Sequence, residues 1–253
     1  MIVLKYTYNK SITSTFSFSF NNGFTPTTTE ETSGNLVTVT VESDTPFTTI
    51  GIPFASEAGL VAVHYMDLSN ISSINLLFER CVNLTDVTLN NSTTKLTDIA
   101  NTFYFYEDNP HKNPINISFV NCNLSAIPDN LANNFVYAEY KNIPSLTFDN
   151  CVLSNGKTMG KIIGSFLKET KLIFKNCTTA PSTSFERMFY GTGRTEVDLS
   201  GIDFTNVTSY SFMFSNVPTD CEIIVKDDAA RTWITEKFST LTNIKTVAEI
   251  TGS

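Results

Sequence analysis

Apolar and polar residues alternate along this chain in short runs, and the runs recur. Asn116–Cys122, Ser145–Cys151 and Lys171–Cys177 read NISFVNC, SLTFDNC and KLIFKNC. In each, two inward apolar residues flank one outward position, and the run stops at Asn-Cys. Period-two alternation marks a strand with one buried face. Weaker copies follow at Val197–Ser200 (VDLS) and Ile223–Val225 (IIV), and one precedes at Val87–Asn90 (VTLN). Taking the second inward residue as a marker gives Leu89, Phe119, Phe148, Phe174, Leu199 and Val225, at steps of 30, 29, 26, 25 and 26 residues. A near-fixed period in the twenties indicates a solenoid of leucine-rich-repeat type. The markers and Val87, Ile117, Leu146, Leu172, Val197 and Ile223 are the expected inward rows.

Segments of helical spacing lie between the strands: Leu96–Tyr104, Ile127–Phe135, Gly160–Leu167, Phe185–Tyr190 and Tyr210–Phe214. Their brevity points to one or two turns each, some of them 3₁₀. The predicted class is therefore an α/β solenoid, a stack of parallel strands with short helical returns. Neighbouring strands would lie about 4.8 Å apart, and some six or seven coils would make a body on the order of 30 Å long.

Residues 1–60 differ. Ile2–Tyr8 (IVLKYTY), Thr15–Phe20 (TFSFSF) and Leu36–Val41 (LVTVTV) read as strands, and the Gly-, Thr-, Pro- and Glu-rich Asn21–Asn35 reads as a loop. This is a small N-terminal β-rich module or a cap over the first repeat, because a solenoid exposes core at an uncovered end. The solenoid spans 61–253. At its far end Ala229–Ser239 (AARTWITEKFS) reads as a helix with Asp227 or Asp228 as N-cap, Trp233 and Phe238 packing on the last coil, and Leu241–Val247 as a final strand. Residues 226–247 form the C-terminal cap.

Composition narrows the function. A net charge of −8 disfavours nucleic acid, whose phosphates need clustered Lys and Arg, and an anionic membrane surface. No run is long and apolar enough for membrane insertion, and the start MIVLKYTYNK reads without a signal peptide. Five cysteines, three of them in register, read as small buried core residues and not as a disulfide framework. They form no CxxC pair, and no cofactor and no metal site is expected. Asn121, Asn150 and Asn176 suit a turn where a side-chain amide bonds backbone groups of its own and adjacent coils. There is no GxSxG, HExxH, P-loop or Cys-His signature, so the chain does not read as an enzyme.

The stretch Met188–Phe214, MFYGTGRTEVDLSGIDFTNVTSYSFMF, resembles the BspA-like leucine-rich repeat. The matching positions are Met188 and Phe189, Val197–Ser200, Asp203, Thr205–Thr208, and Met213 with Phe214. Glu222–Val247 resembles the terminal unit of such proteins, and the specific likeness covers about residues 184–247. Short copies of this kind look like bacteriophage virion proteins, and longer ones are bacterial surface proteins. The resemblance implies a surface-displayed structural or binding module with no catalytic residues to carry over.

Candidate contacts follow from geometry. The outward rows are Thr88, Ser118, Thr147, Ile173, Asp198 and Ile224, and Asn90, Val120, Asp149, Lys175, Ser200 and Lys226. A charged sheet-face site would use Asp149, Lys175 and Asp198. The insertion Phe103–Pro114 (FYFYEDNPHKNP) lengthens one repeat and offers Tyr104, Tyr106, Asp108 and His111, suitable for glycan or protein contact. The expectation is a non-enzymatic virion structural protein of tail, baseplate or head decoration. Its partners are other virion proteins and a host cell-surface glycan or protein, and its location is the virion. A homo-oligomer is compatible with this, though no coiled-coil heptad specifies one. The alternatives are a bacterial adhesin of BspA type and, further off, a polysaccharide-degrading enzyme, in which Asp149 and Asp198 would have to approach each other across a coil near Lys175.

Overall fold

The computed structural model describes residues 1–21, 23–52, 58–92, 96–104, 113–132, 135, 143–163, 171–179, 183–190 and 196–252. Its main sheet has 11 strands. In chain order they are β1 (Ile2–Asn9), β2 (Thr27–Ser33), β3 (Leu36–Glu42), β4 (Leu60–Asp67), β5 (Asp86–Asn90), β6 (Asn116–Val120), β7 (Ser145–Asp149), β8 (Lys171–Lys175), β9 (Glu196–Asp198), β10 (Glu222–Val225) and β11 (Ile244–Thr246). Across the sheet the order is β11-β10-β9-β8-β7-β6-β5-β4-β1-β3-β2. From β4 to β11 every pairing is parallel, and from β4 through β1 and β3 to β2 every pairing is antiparallel. The molecule is a parallel β-solenoid with a small antiparallel region at its N-terminal end.

The alternation read from sequence sets the register. Leu89, Phe119, Phe148 and Phe174 stand side by side across β5–β8, as do Val87, Ile117, Leu146 and Leu172. Both inward rows are buried at every level from Val87 to Val225. Phe119, Phe148 and Phe174 stack face to face, with centroids 5.4 and 5.1 Å apart and planes within 10°. Stacked coils thus repeat one offset-ring contact along the axis.

The returns contain less helix than their spacing suggests. Among the described residues they hold one α-helix, α1 (Gly156–Ile163), and one 3₁₀ turn, Asp129–Ala132. At 75–80, 100–102, 186–190 and 211–216 the chain makes consecutive turns. The reason is a left-handed residue inside the turn. Leu76, Asn101, Arg187 and Phe212 have φ of 57, 53, 61 and 60°, which breaks α-helical propagation. Each stands two residues before a buried Phe: Phe78, Phe103, Phe189 and Phe214. Backbone bonds between coils hold these turns, such as Phe78 N–H to Thr102 O at 2.9 Å and Phe189 N–H to Met213 O at 2.9 Å.

At the N-terminus, Thr15–Phe20 is not a strand throughout. Only Ser19 and Phe20 pair, with Gly51 and Ile50, while Phe16 and Phe18 pack on Tyr6. Asn21–Asn35 is not merely a loop, because it contains β2, joined to β3 by a two-residue turn with Gly34 at φ 61°. Every β2 residue is exposed. Glu30 sits opposite buried Val39, a charge on the core side of a sheet edge. The first coil is covered by β1, which pairs with β4, and the buried side chains of both parts form one continuous cluster.

The far end closes as its sequence indicates. Helix α2 (Asp228–Lys237) is capped by Asp227, whose side chain accepts from Ala230 N–H at 3.0 Å. Trp233 stacks on Phe204 at 4.7 Å and Phe238 packs edge-on against Phe214. After β11 comes α3 (Val247–Thr251), with a Thr246–Glu249 capping box and an Arg231–Glu249 ion pair tying it to α2.

Candidate functional site: the coil corners and the groove beside the C-terminal cap

The strands leave the sheet at a corner built by Asn91, Asn121, Asn150 and Asn176. All four are left-handed, with φ between 50 and 57°, a conformation Asn tolerates better than most residues. The amides of Asn91, Asn121 and Asn150 bond to one another, where the sequence suggested bonds to backbone. Asn150 donates to Asn121 Oδ1 at 2.8 Å, Asn121 to Asn91 Oδ1 at 3.5 Å, and Asn91 to the Tyr65 hydroxyl at 2.7 Å. The left-handed backbone turns these side chains along the stack. Asn91, the first of the four, escaped the sequence reading because no Cys follows it.

The cysteines behind them are buried. The Sγ atoms of Cys122, Cys151 and Cys177 each lie 3.3–3.4 Å from a carbonyl oxygen of the preceding coil, at Leu89, Phe119 and Phe148. The hydrogen bond with Cys122, and then burial, push the Cys151 thiol up to about 12. The bond with Cys151, and then burial, push Cys177 up as well, while the bond from Cys151 pulls Cys122 down. All five cysteines are free. Among the described residues no cluster of three or more His, Cys, Asp or Glu is placed to hold a metal ion.

The expected sheet-face residues separate. Asp149 and Lys175 are register partners on β7 and β8. Asp198 pairs with Ile173 instead, so it lies two positions along the strand and one coil further from Asp149. Register therefore does not set these two carboxylates side by side. In the outward rows, Asn90 departs from expectation. It is buried, with its amide donating to Thr88 O. Of the insertion residues, Tyr104 is half-buried at its root, its carbonyl accepting from Arg80 N–H. Tyr106, Asp108 and His111 lie outside the described residues.

The sequence reading missed a concavity. A groove of about 710 Å³ lies beside the C-terminal cap, between the corner of β8, the corner after β9 and the start of α2. Asn176, Asp203, Phe204, Lys226, Ala230 and Trp233 are among its walls. The Asp203 carboxylate accepts from Thr205 N–H and Oγ1–H, and these bonds hold it below its ordinary value. That local turn is the physical content of the Asp-x-Thr element in the repeat. The signal available in sequence was a change of residue: register aligns Cys177 with Ile202, so Gly201 replaces the asparagine.

These features define a class, the parallel β-solenoid with capped ends. No protein-family model, no curated protein and no solved structure matches the chain. Among the described residues no helix is long and apolar enough to cross a membrane.

Proposed function

We propose that the chain is a non-enzymatic structural and binding module, and that its setting is a bacteriophage virion as a tail, baseplate or head-decoration component. The observation carrying the first part is how the repeated polar positions are used. Asparagine amides, thiols and turn aspartates all bond within or between coils. A scaffold spends its repeats this way and leaves recognition to surfaces. Support for the virion setting comes from the likeness of residues 184–247 to BspA-like repeats. In this reading the antiparallel N-terminal region docks to neighbouring virion proteins, and the solenoid presents its flanks to a host surface.

Mass spectrometry of purified particles from the source phage tests the setting: a fixed copy number supports it, and absence from intact particles overturns it. Binding of the labelled protein to host envelopes, with and without residues 105–114, tests attachment. Saturable binding lost on deletion places the contact on the insertion, and no binding by the folded protein leaves a purely structural role.

A further inference from the structure

The row of left-handed asparagine corners ends at Asn176, and the groove opens where it ends. The next rung is Gly201, and no side chain fits there: an added Cβ would stand 2.0 Å from the Phe174 carbonyl oxygen. The rung after that, aligned through Asp198 and Ile224, is Asp227, turned aside to cap α2. The repeat's own side chains therefore stop filling this corner at the level where Asp203, Lys226 and Trp233 surround it.

The groove has two kinds of wall. One is apolar, made by Phe204, Ala230 and the edge of Trp233, whose faces are taken by Phe204 and the Lys237 ammonium. The other is polar, lined by Asn176, Asp203 and Lys226. Both bonds from Thr205 fall on Oδ1 of Asp203, which leaves Oδ2 to accept from an incoming hydroxyl. Lys226 is exposed, lines the groove, acts on Asp203 through its field and forms no ion pair among the described residues, so its ammonium is available to an incoming hydroxyl. With both signs of charge present, an anion meets Asp203 and Asp227 and a cation meets Lys226. A neutral ring with a C–H face and a rim of hydroxyls satisfies both walls.

The geometry points to a binding site for a neutral saccharide in this groove, a proposal that rests on the attachment reading for its biological role but not for its chemistry. It differs from the insertion and sheet-face contacts expected from sequence, and it assigns Asp203 as hydroxyl acceptor and Lys226 as hydroxyl donor.

The chain has one tryptophan, Trp233, and it lines the groove, so its fluorescence reports occupancy. The full chain is titrated with neutral oligosaccharides of hexose, deoxyhexose and N-acetylhexosamine type, with sialyl and amino-sugar oligosaccharides as charged controls. A saturable change with a neutral member is expected. Lys226→Gln should weaken it about tenfold, the effect of losing one charge-assisted hydrogen bond, and Ala229→Leu, which fills the mouth, should abolish it. No response to any neutral probe, a response to charged probes alone, or affinity unchanged in both variants overturns the proposal. Because Lys226 is exposed, its variant keeps the test valid if Ala229→Leu fails to fold. Envelope adsorption separates the two readings. Adsorption untouched by a groove variant that has lost saccharide binding leaves attachment standing without the groove as its contact. Saccharide binding without adsorption leaves the groove standing and attachment refuted.

Discussion

The two corners of each coil solve the same problem with different residues. Where they are regular, both use a backbone with positive φ. At the first corner Asn91, Asn121, Asn150 and Asn176 supply it, and the first three convert the orientation into an amide ladder. At the second, one asparagine, Asn101, recurs, but Leu76, Arg187 and Phe212 adopt it as well although left-handed geometry costs such residues about 1–2 kcal/mol. What holds the second corner is the phenylalanine two residues on. Phe78 stacks on Phe103 at 5.2 Å and Phe189 on Phe214 at 5.3 Å, each turn also bonded to the next coil. The first corner is stabilised by local conformational preference and the second by tertiary packing that overrides it.

The sharpest way to break the second corner is Phe189→Ala. Phe189 is fully buried, and its removal leaves a cavity between coils, so a loss of about 3–5 kcal/mol is expected from urea unfolding. At the first corner Asn150→Ala should cost about 1–2 kcal/mol, combining left-handed strain with a lost ladder bond. Asn150→Gly should recover the conformational part alone, and equal losses in both variants would show that the ladder carries the whole effect. Phe212→Gly should act in the opposite direction. Phe212 is 56 % exposed, so little packing is lost while strain is relieved, and a gain of up to about 1 kcal/mol is expected after the entropy of glycine is subtracted. Destabilisation there would mean that the Arg187 guanidinium over its ring, 5.7 Å from the centroid, matters more than the backbone.

The smallest effect expected is alkaline. Cys151, with a folded value of about 12 against an ordinary 9.0, binds its proton more tightly folded than unfolded. Its contribution is present below about pH 9 and lost as pH rises toward 12. Cys177 acts in the same direction and Cys122 in the opposite one. The urea midpoint should fall between about pH 8 and pH 10, and Cys151→Ala should reduce that fall.

Much of this was legible in the chain. The inward rows were readable because burial on one face of a strand writes itself as period two, and the stack because the writing repeats. The capped helix was readable from Asp227 and the aromatic positions after it. Strand β2 was not, since none of its residues is buried and a strand without a covered face leaves no alternation. The second corner was hidden because nothing in Leu76, Arg187 or Phe212 announces positive φ. The groove was hidden for a different reason. It arises from a missing side chain at Gly201, and an absence at one rung is visible only once the rungs are aligned in space.

The exposed edge at β2 has a consequence for self-association. A stack of parallel coils is a polymer of hydrogen-bonded units, and an open end is a growing end. At one terminus α2 and α3 act as a stop. At the other the ladder is left unsatisfied, but Glu30 lies on the core side of the last strand, so an incoming strand of a second copy would have to cover a carboxylate, and two-fold pairing centred on Glu30 would set it against its own image. The fold thus carries a different device at each end, a capped helix at one and a charge on the exposed edge strand at the other.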